Sequence, residues 1–255
     1  RRIIHFSSFL NKKSGNILEY IFNLLKKKIK SLNMNILIIG SGGREHSIAW
    51  AINQNPTCKK IFCIPGNAGM SDLGECHEID IMDNKKIINF CKIKNIDFVI
   101  VGPEKPLSNG IIDHLNKNNI NSIGPTKISS QLESSKTFTK LICDENKIPT
   151  AKFQIFKNSV DANNYIDRND GPYVIKANGL AEGKGVLICN KKEEAKKNII
   201  EIFDGKFGKA GKTILIEEFL TGVEVSYFIL TDGKTILPLG SAQDHKRAYD
   251  NDKGP

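Results

Sequence analysis

Two glycine-rich turns carry the strongest chemical signals in this chain. The first is Ile39-Gly40-Ser41-Gly42-Gly43-Arg44-Glu45-His46. A glycine turn behind a strand lets backbone N–H groups and a helix N-terminus approach a phosphate. Dinucleotide binding is the first hypothesis raised by that spacing, and two features oppose it. Glu45 stands where the third glycine of G-x-G-x-x-G belongs, and Lys59–Gly66 offers no acid for a ribose. A phosphate-bearing ligand other than a dinucleotide fits better. A tight turn without a ligand is the plainer alternative.

The second turn is Val174-Ile175-Lys176-Ala177-Asn178-Gly179-Leu180-Ala181-Glu182-Gly183-Lys184-Gly185-Val186. It joins two strands and contains no G-x-x-x-x-G-K-[ST], so it is not a Walker loop. A lysine on a strand beneath a glycine loop suits a nucleotide whose phosphates the loop caps, with the ammonium as a point charge. A mobile hairpin with an exposed lysine is the alternative. Two weaker signals follow. Ile216-Glu217-Glu218-Phe219-Leu220-Thr221-Gly222-Val223-Glu224 offers apolar walls, backbone hydrogen bonds and acids, which a base and a ribose need. A solvated acidic turn explains it equally well. Ser241-Ala242-Gln243-Asp244-His245-Lys246-Arg247 ends an apolar strand in a polar run, either a site for a polar or phosphorylated ligand or a solvated loop. His5, His46, His77 and His114 have no evident partner in the sequence and receive no catalytic role.

The elements that must position these turns change style along the chain. Asn35–Ile39, Lys60–Ile64, Asp97–Val101 and Asn121–Ile123 read as strands, each followed by glycine or proline. Helices are expected at Arg44–Asn53, Lys85–Lys94 and Leu107–Asn118. That alternation predicts a parallel sheet with helical crossovers, and ligands of such sheets gather at the carboxyl ends of the strands. Ser134–Lys147 is helix-rich. Beyond about residue 150 the strands Tyr173–Ala177, Gly185–Cys189, Thr213–Phe219, Val223–Thr231 and Thr235–Gly240 surround one helix, Lys192–Phe203. This predicts an α+β unit with an antiparallel sheet.

Composition narrows the function classes. The chain has 255 residues and a net charge of +9. Residues 1–33 carry eight Lys/Arg against Glu19, a net +7, so the remainder carries +2. A basic face for nucleic acid is therefore not expected on the body. No apolar run reaches the roughly 18 residues of a membrane span. Six cysteines, without C-x-x-C or a framework spacing, fit a reducing compartment. Cys76-His77 alone makes no tetrahedral metal site. The Lys-studded segment before Met34 has helical periodicity; it reads as sequence upstream of the fold, with a targeting helix as the alternative.

Seven motifs in one order resemble the phosphoribosylamine–glycine ligase (glycinamide ribonucleotide synthetase) family of the ATP-grasp superfamily. They are Ile38–His46, Pro65–Gly69, Val101–Glu104, Gly124–Thr126, Val174–Val186, Ile216–Glu224 and Gln243–Arg247. The lysine–glycine loop alone would indicate only ATP-grasp. The resemblance implies an α/β fold: a parallel-sheet pre-ATP-grasp domain over 34–135, then a partial α+β ATP-grasp domain with an antiparallel sheet over 136–255. Residues 1–33 form a basic lead outside the fold. The implied reaction joins glycine to 5-phosphoribosylamine at the expense of ATP, through a glycyl phosphate, giving glycinamide ribonucleotide, ADP and phosphate in de novo purine synthesis.

The resemblance also assigns residues. Lys176 and Arg247 are the expected catalytic residues. Lys136, Lys176, Gly179, Gly183, Lys184, Gly185, Glu217, Glu218, Phe219, Leu220 and Glu224 are expected on ATP, with Glu218 and Leu220 at the adenine hinge and Glu224 on the ribose. Gly40, Gly42, Gly43, Arg44, Glu45, Pro65, Gly66, Asn67, Gly102, Pro103, Glu104, Asp244, His245 and Lys246 are expected on the substrate. Mg2+ or Mn2+ is expected to accompany ATP, with its protein ligands beyond residue 255. Small molecules are the expected partners, with no nucleic acid and no membrane. The expected protein is a cytoplasmic monomer, open to fusion with other purine enzymes, or imported into an organelle if residues 1–33 are a leader. Two departures stand out: Asn178 where Asp is usual and Ser135 where Gly is usual. The chain is also expected to be a catalytically incomplete fragment. Another ATP-grasp carboxylate–amine ligase, or a non-catalytic nucleotide-binding remnant, are the alternatives.

Overall fold

The computed structural model describes residues 33–181, 185–243, 249 and 254. The chain divides into two compact units. One holds the residues up to Pro103, His114–Gly124 and Gly222 onward; the other holds Glu104–Asp113 and Pro125–Thr221.

The first unit is built on a five-stranded parallel sheet: β1 (Met34–Gly40), β2 (Cys58–Pro65), β3 (Glu75–Cys76), β4 (Phe98–Val101) and β5 (Asn121–Ile123), in the order β3-β2-β1-β4-β5. Ile36, Leu37, Ile38 and Ile39 are all at most 1% exposed. Consecutive residues point to opposite faces of a strand, so β1 is covered on both sides, as the central strand of a parallel sheet must be. Ile38 lies opposite Cys63 on β2 and Ile100 on β4. Helix α1 (Gly43–Asn53) follows β1 and adds Ala49 and Ile52 to the core of Ile36, Ile38, Ile61 and Met70. The one tryptophan, Trp50, stays exposed on that helix. The strand order reverses at β1, which puts the crevice between β1 and β4 at the switch point where such sheets bind ligands.

The second unit carries a four-stranded antiparallel sheet, order β6-β9-β7-β8, from β6 (Phe153–Phe156), β7 (Tyr173–Ala177), β8 (Val186–Cys189) and β9 (Ile214–Glu218). Ile175 pairs with Leu187 on one side and Ile216 on the other. Ile175, Ile199, Ile202, Ile214 and Ile216 form one buried cluster with Ala162 and Ile166. A separate hairpin, β10 (Ser226–Thr231) and β11 (Ile236–Ala242), is antiparallel. Among the described residues no helix is long and apolar enough to cross a membrane.

Most strands follow the sequence pattern; several other elements do not. The single helix expected over Leu107–Asn118 is two, Glu104–Ser108 and Ile111–Lys117. Gly110 between them has φ +85°, which no helical residue adopts. The helix expected to Phe203 ends as α-helix at Glu201 and runs into a π segment, Ile202–Lys206, with Gly205 at φ +110°. The strand expected from Val223 begins at Ser226. The two-residue β3, the strand β6 and the polar helix Ser159–Arg168 have no counterpart in the sequence pattern. That last helix is set by Asn158, whose side chain accepts from Asp161 N at 2.8 Å. The basic lead through Leu32 lies outside the described residues.

Candidate functional site

The glycine turn of the first unit is shaped around one buried carboxylate. Gly40 ends β1 at φ +131°, a conformation that favours glycine. Glu45, in the first turn of α1, is 4% exposed. Its Oε2 accepts from Gly42 N at 2.7 Å, satisfying one of the N-terminal donors of the helix. Its Oε1 is buried without a partner. A Cβ on Gly40 would lie 2.6 Å from Glu45 Cγ, one on Gly42 2.8 Å from Oε2, and one on Gly102 2.5 Å from Cδ. Glu45 thus fills the space that the third glycine of a dinucleotide fingerprint leaves open. Gly102 follows β4 and donates its N–H to Ile39 O at 3.0 Å.

The loop after β2 is tied to the same turn. Gly66 N donates to Gly40 O at 3.2 Å. Asn67 donates from Nδ2 to Ser41 O at 2.9 Å and accepts at Oδ1 from Met70 N at 3.0 Å. The His46 ring packs on Gly69, whose Cβ would lie 2.8 Å from His46 Nδ1. The expected substrate residues Gly40, Gly42, Gly43, Arg44, Glu45, Pro65, Gly66, Asn67, Gly102 and Pro103 therefore gather at the carboxyl ends of β1, β2 and β4. Glu104 opens the short helix Glu104–Ser108. Gly43 has open space where a side chain would stand. Asp244, His245, Lys246 and Arg247 lie outside the described residues.

The second unit holds a lysine cluster on one carboxylate. Lys176 lies on β7 opposite Leu215 of β9, and Glu217 lies two residues further along β9. Lys176 Nζ donates to Glu217 Oε2 at 2.8 Å. Lys140, on the helix Lys136–Glu145, reaches the same oxygen at 3.1 Å. Glu217 Oε1 is buried with no partner. Lys136, one turn before Lys140, donates from Nζ to Gly179 O at 3.1 Å and from its backbone to Asn178 O at 3.0 Å. Burial pushes the Lys136 ammonium below the usual lysine range; Glu133 opposes that, Lys176 adds to it, and Glu217 opposes it. A partly desolvated cation beside a second cation is an arrangement that an anion relieves.

Ser135 and Asn178, the two residues expected to depart from the family pattern, meet in space. Ser135 Oγ donates to Asn178 Oδ1 at 3.3 Å, and the same oxygen accepts from Thr137 N at 2.8 Å. Ser135 Oγ also accepts from Phe138 N at 3.2 Å, capping the helix that carries both lysines. Gly179 sits against Ala210, where a Cβ would find Ala210 Cβ at 2.9 Å. Ala177 N donates to Gly185 O at 2.8 Å, closing the base of the loop. Gly183 and Lys184 lie outside the described residues.

The two adjacent acids of β9 diverge. Glu217 is 5% exposed and turns to the lysines. Glu218 is exposed, and its Oε1 accepts from Lys152 N at 2.9 Å while its own N–H donates to Lys152 O. Phe219 and Leu220 follow, 42% and 63% exposed, with their apolar surfaces open. Glu224 is exposed in the segment before β10. The sequence pattern overlooked Lys140 and Lys152. Lys140 had a usable signal, since it stands four residues after Lys136 and so shares its helix face. Lys152 had none, because it acts through its backbone.

Residues 34–133 match the family model described as phosphoribosylglycinamide synthetase, N domain, and residues 134–255 match phosphoribosylglycinamide synthetase, ATP-grasp (A) domain. A phosphoribosylamine–glycine ligase from Mesorhizobium japonicum is 47% identical over 222 residues, which is 87% of this chain and 52% of that protein. The trifunctional purine biosynthetic protein adenosine-3 of Gallus gallus is 45% identical over 86% of this chain and 22% of its own length. Among solved structures, phosphoribosylamine–glycine ligase from Thermotoga maritima superposes with a TM-score of 0.72 at 31% identity, covering 87% of this chain and 53% of that one. The biotin carboxylase domain of a Hydrogenobacter thermophilus 2-oxoglutarate carboxylase shares the fold at TM-score 0.66 and 17% identity, over 82% and 49% of the two chains. The chain spans about half the length of the curated phosphoribosylamine–glycine ligases it matches.

Proposed function

The chain belongs to the phosphoribosylglycinamide synthetase family, and from that premise we propose that it supplies the substrate turn and part of the ATP site of an enzyme joining glycine to 5-phosphoribosylamine. The products are glycinamide ribonucleotide, ADP and phosphate. A carboxylate is a poor electrophile, and transfer of the ATP γ-phosphoryl group to the glycine carboxylate gives it a leaving group. The amine of phosphoribosylamine then displaces phosphate. The protein's part is positioning and charge neutralisation.

One observation carries this reading: Lys136 and Lys176 stand together beside the glycine loop, where burial first and then Lys176 depress the Lys136 ammonium against the opposing pull of Glu133 and Glu217. Phosphate oxygens supply the missing negative charge. In this reading Lys176 and Lys136 hold the phosphates and the Gly179–Gly185 loop covers them. The Phe219–Leu220 segment faces adenine, the buried Glu217 Oε1 accepts from a ligand N–H, and Glu224 takes the ribose hydroxyls. Gly40–Glu45, Pro65–Asn67 and Gly102–Glu104 receive the phosphoribosyl group, and Asp244–Arg247 the acceptor. The family's Mg2+ or Mn2+ would offset phosphate charge when bound. Among the described residues no three His, Cys, Asp or Glu side chains converge on a metal site. A cytoplasmic site of action belongs to the same proposal.

Lys176→Ala tests it. Loss of a charge-assisted contact to phosphate costs about 1.5–3 kcal/mol, which is roughly ten- to a hundredfold in ATP affinity. Calorimetric titration is expected to show that loss for ATP and unchanged affinity for ribose 5-phosphate. Lys176→Arg is expected to restore only part, because a planar fork does not replace a compact ammonium. Equal ATP affinity in the alanine variant would remove the phosphate assignment.

A further inference from the structure

Lys140 and Lys176 share Glu217 Oε2 but are held very differently. The Lys140 side chain is 10% exposed. Its Nζ donates to Thr150 Oγ1 at 2.7 Å and Ala151 O at 3.0 Å, pairs with Glu217 Oε2 at 3.1 Å, and lies 5.4 Å from the centre of the Phe153 ring. Two hydrogen bonds and the ion pair hold the Lys140 ammonium in place. The Lys176 side chain is 27% exposed, and Glu217 is its hydrogen-bond partner. Glu217 itself is 4% exposed at the side chain, so it needs a cation beside it at all times. One cation of the pair is fixed and the other is tethered by a single contact at the edge.

We propose that Lys140 is a positioning residue for nucleotide binding: it stays on Glu217 as the permanent counter-ion, which frees Lys176 to turn from Glu217 to a phosphate. The proposal rests on the ATP reading of this site. Without Lys140, Lys176 is the one cation left in ion-pair contact with Glu217 among the described residues. Moving it to a phosphate would strand a buried carboxylate, so Lys176 stays where it is and the phosphates lose their contact. Lys140 touches no ligand in this scheme and acts through its neighbour.

A double-mutant cycle on the purified protein separates this from a merely structural role. Lys140→Gln keeps an N–H donor for Ala151 and removes the charge. It is expected to lower ATP affinity about tenfold and to leave adenosine affinity unchanged, since only the phosphate contact is lost. In a Lys176→Ala background the same change is expected to have no further effect on ATP, because there is no lysine left to detain. An equal loss of ATP affinity in both backgrounds, or a parallel loss for adenosine, overturns the proposal. If the unaltered protein does not bind ATP, or Lys176→Ala binds it normally, the ATP reading itself has failed. Should Lys140→Gln melt too low to titrate, lysine-selective NMR of the unaltered protein decides. ATP is expected to shift the Lys176 signal and leave Lys140 in place; a moving Lys140 overturns the scheme.

Discussion

Glu217→Ala is expected to destabilise the second unit by about 3–5 kcal/mol, the range for removing one partner of a buried ion pair. The carboxylate is 5% exposed and sits between two ammonium groups. Lys176 can find water from its position near the surface. Lys140 cannot, because its side chain is 10% exposed and enclosed by Thr150, Ala151 and Phe153. Its charge would remain buried with only neutral acceptors. Urea unfolding of the two forms measures the difference. The control is Lys140→Met with Glu217→Met, since replacing both members of a buried pair by apolar groups is often near neutral; it is expected to recover most of the loss. A cost under about 1 kcal/mol for Glu217→Ala, typical of an exposed acid, would show that the site is wetter than its geometry indicates.

Gly102→Ala is the second large effect expected, and it acts at a distance in sequence. The new methyl group would stand 2.5 Å from Glu45 Cδ and 2.6 Å from Cγ. The clash, closest at Oε1, runs from the carboxylate back to Cγ of a buried side chain, so the carboxylate must leave. Overpacking of this kind costs about 1–3 kcal/mol. The displaced Oε2 also gives up Gly42 N, a charge-assisted bond of about 1.5–3 kcal/mol. Thermal melting is expected to fall, and affinity for ribose 5-phosphate to drop at least about tenfold. Adding Glu45→Ala is expected to return the packing term and leave binding weak, because the turn has lost its brace. Normal melting and binding in the single variant would mean Glu45 has another resting place.

The sheets were legible because their signals are local. β1, β2 and β4 contain short apolar runs, each closed by glycine or proline, β5 is a brief segment before Gly124-Pro125, and β7 and β9 are apolar strands bordered by charged residues. What the sequence hid depends on contacts between distant residues. β3 is two residues long and exists through its pairing of Cys76 with Cys63 and Glu75 with Phe62. The helix Ser159–Arg168 has three asparagine or aspartate residues in its first six and would not form on propensity; Ala162 and Ile166, both fully buried, hold it. The lysine cluster divides the same way. Lys176 was legible from its strand and its glycine loop. The sharing of Glu217 with Lys140 was not, because it joins residues 77 positions apart through two different elements. Glu45 was legible as a misfit in a glycine motif, and only the structure shows that it occupies the room that three glycines leave.

Ser135 and Asn178, forty-three positions apart, are coupled by one hydrogen bond. Asn178 Oδ1 receives both Ser135 Oγ and Thr137 N. Glycine at 135 would delete the cap on Phe138 N and leave Asn178 Oδ1 with one donor. Aspartate at 178 would set a carboxylate beside the helix that presents Lys136, on the side where phosphate is proposed to arrive. The two side chains share one hydrogen bond, so changes at the two positions are expected to be non-additive in stability.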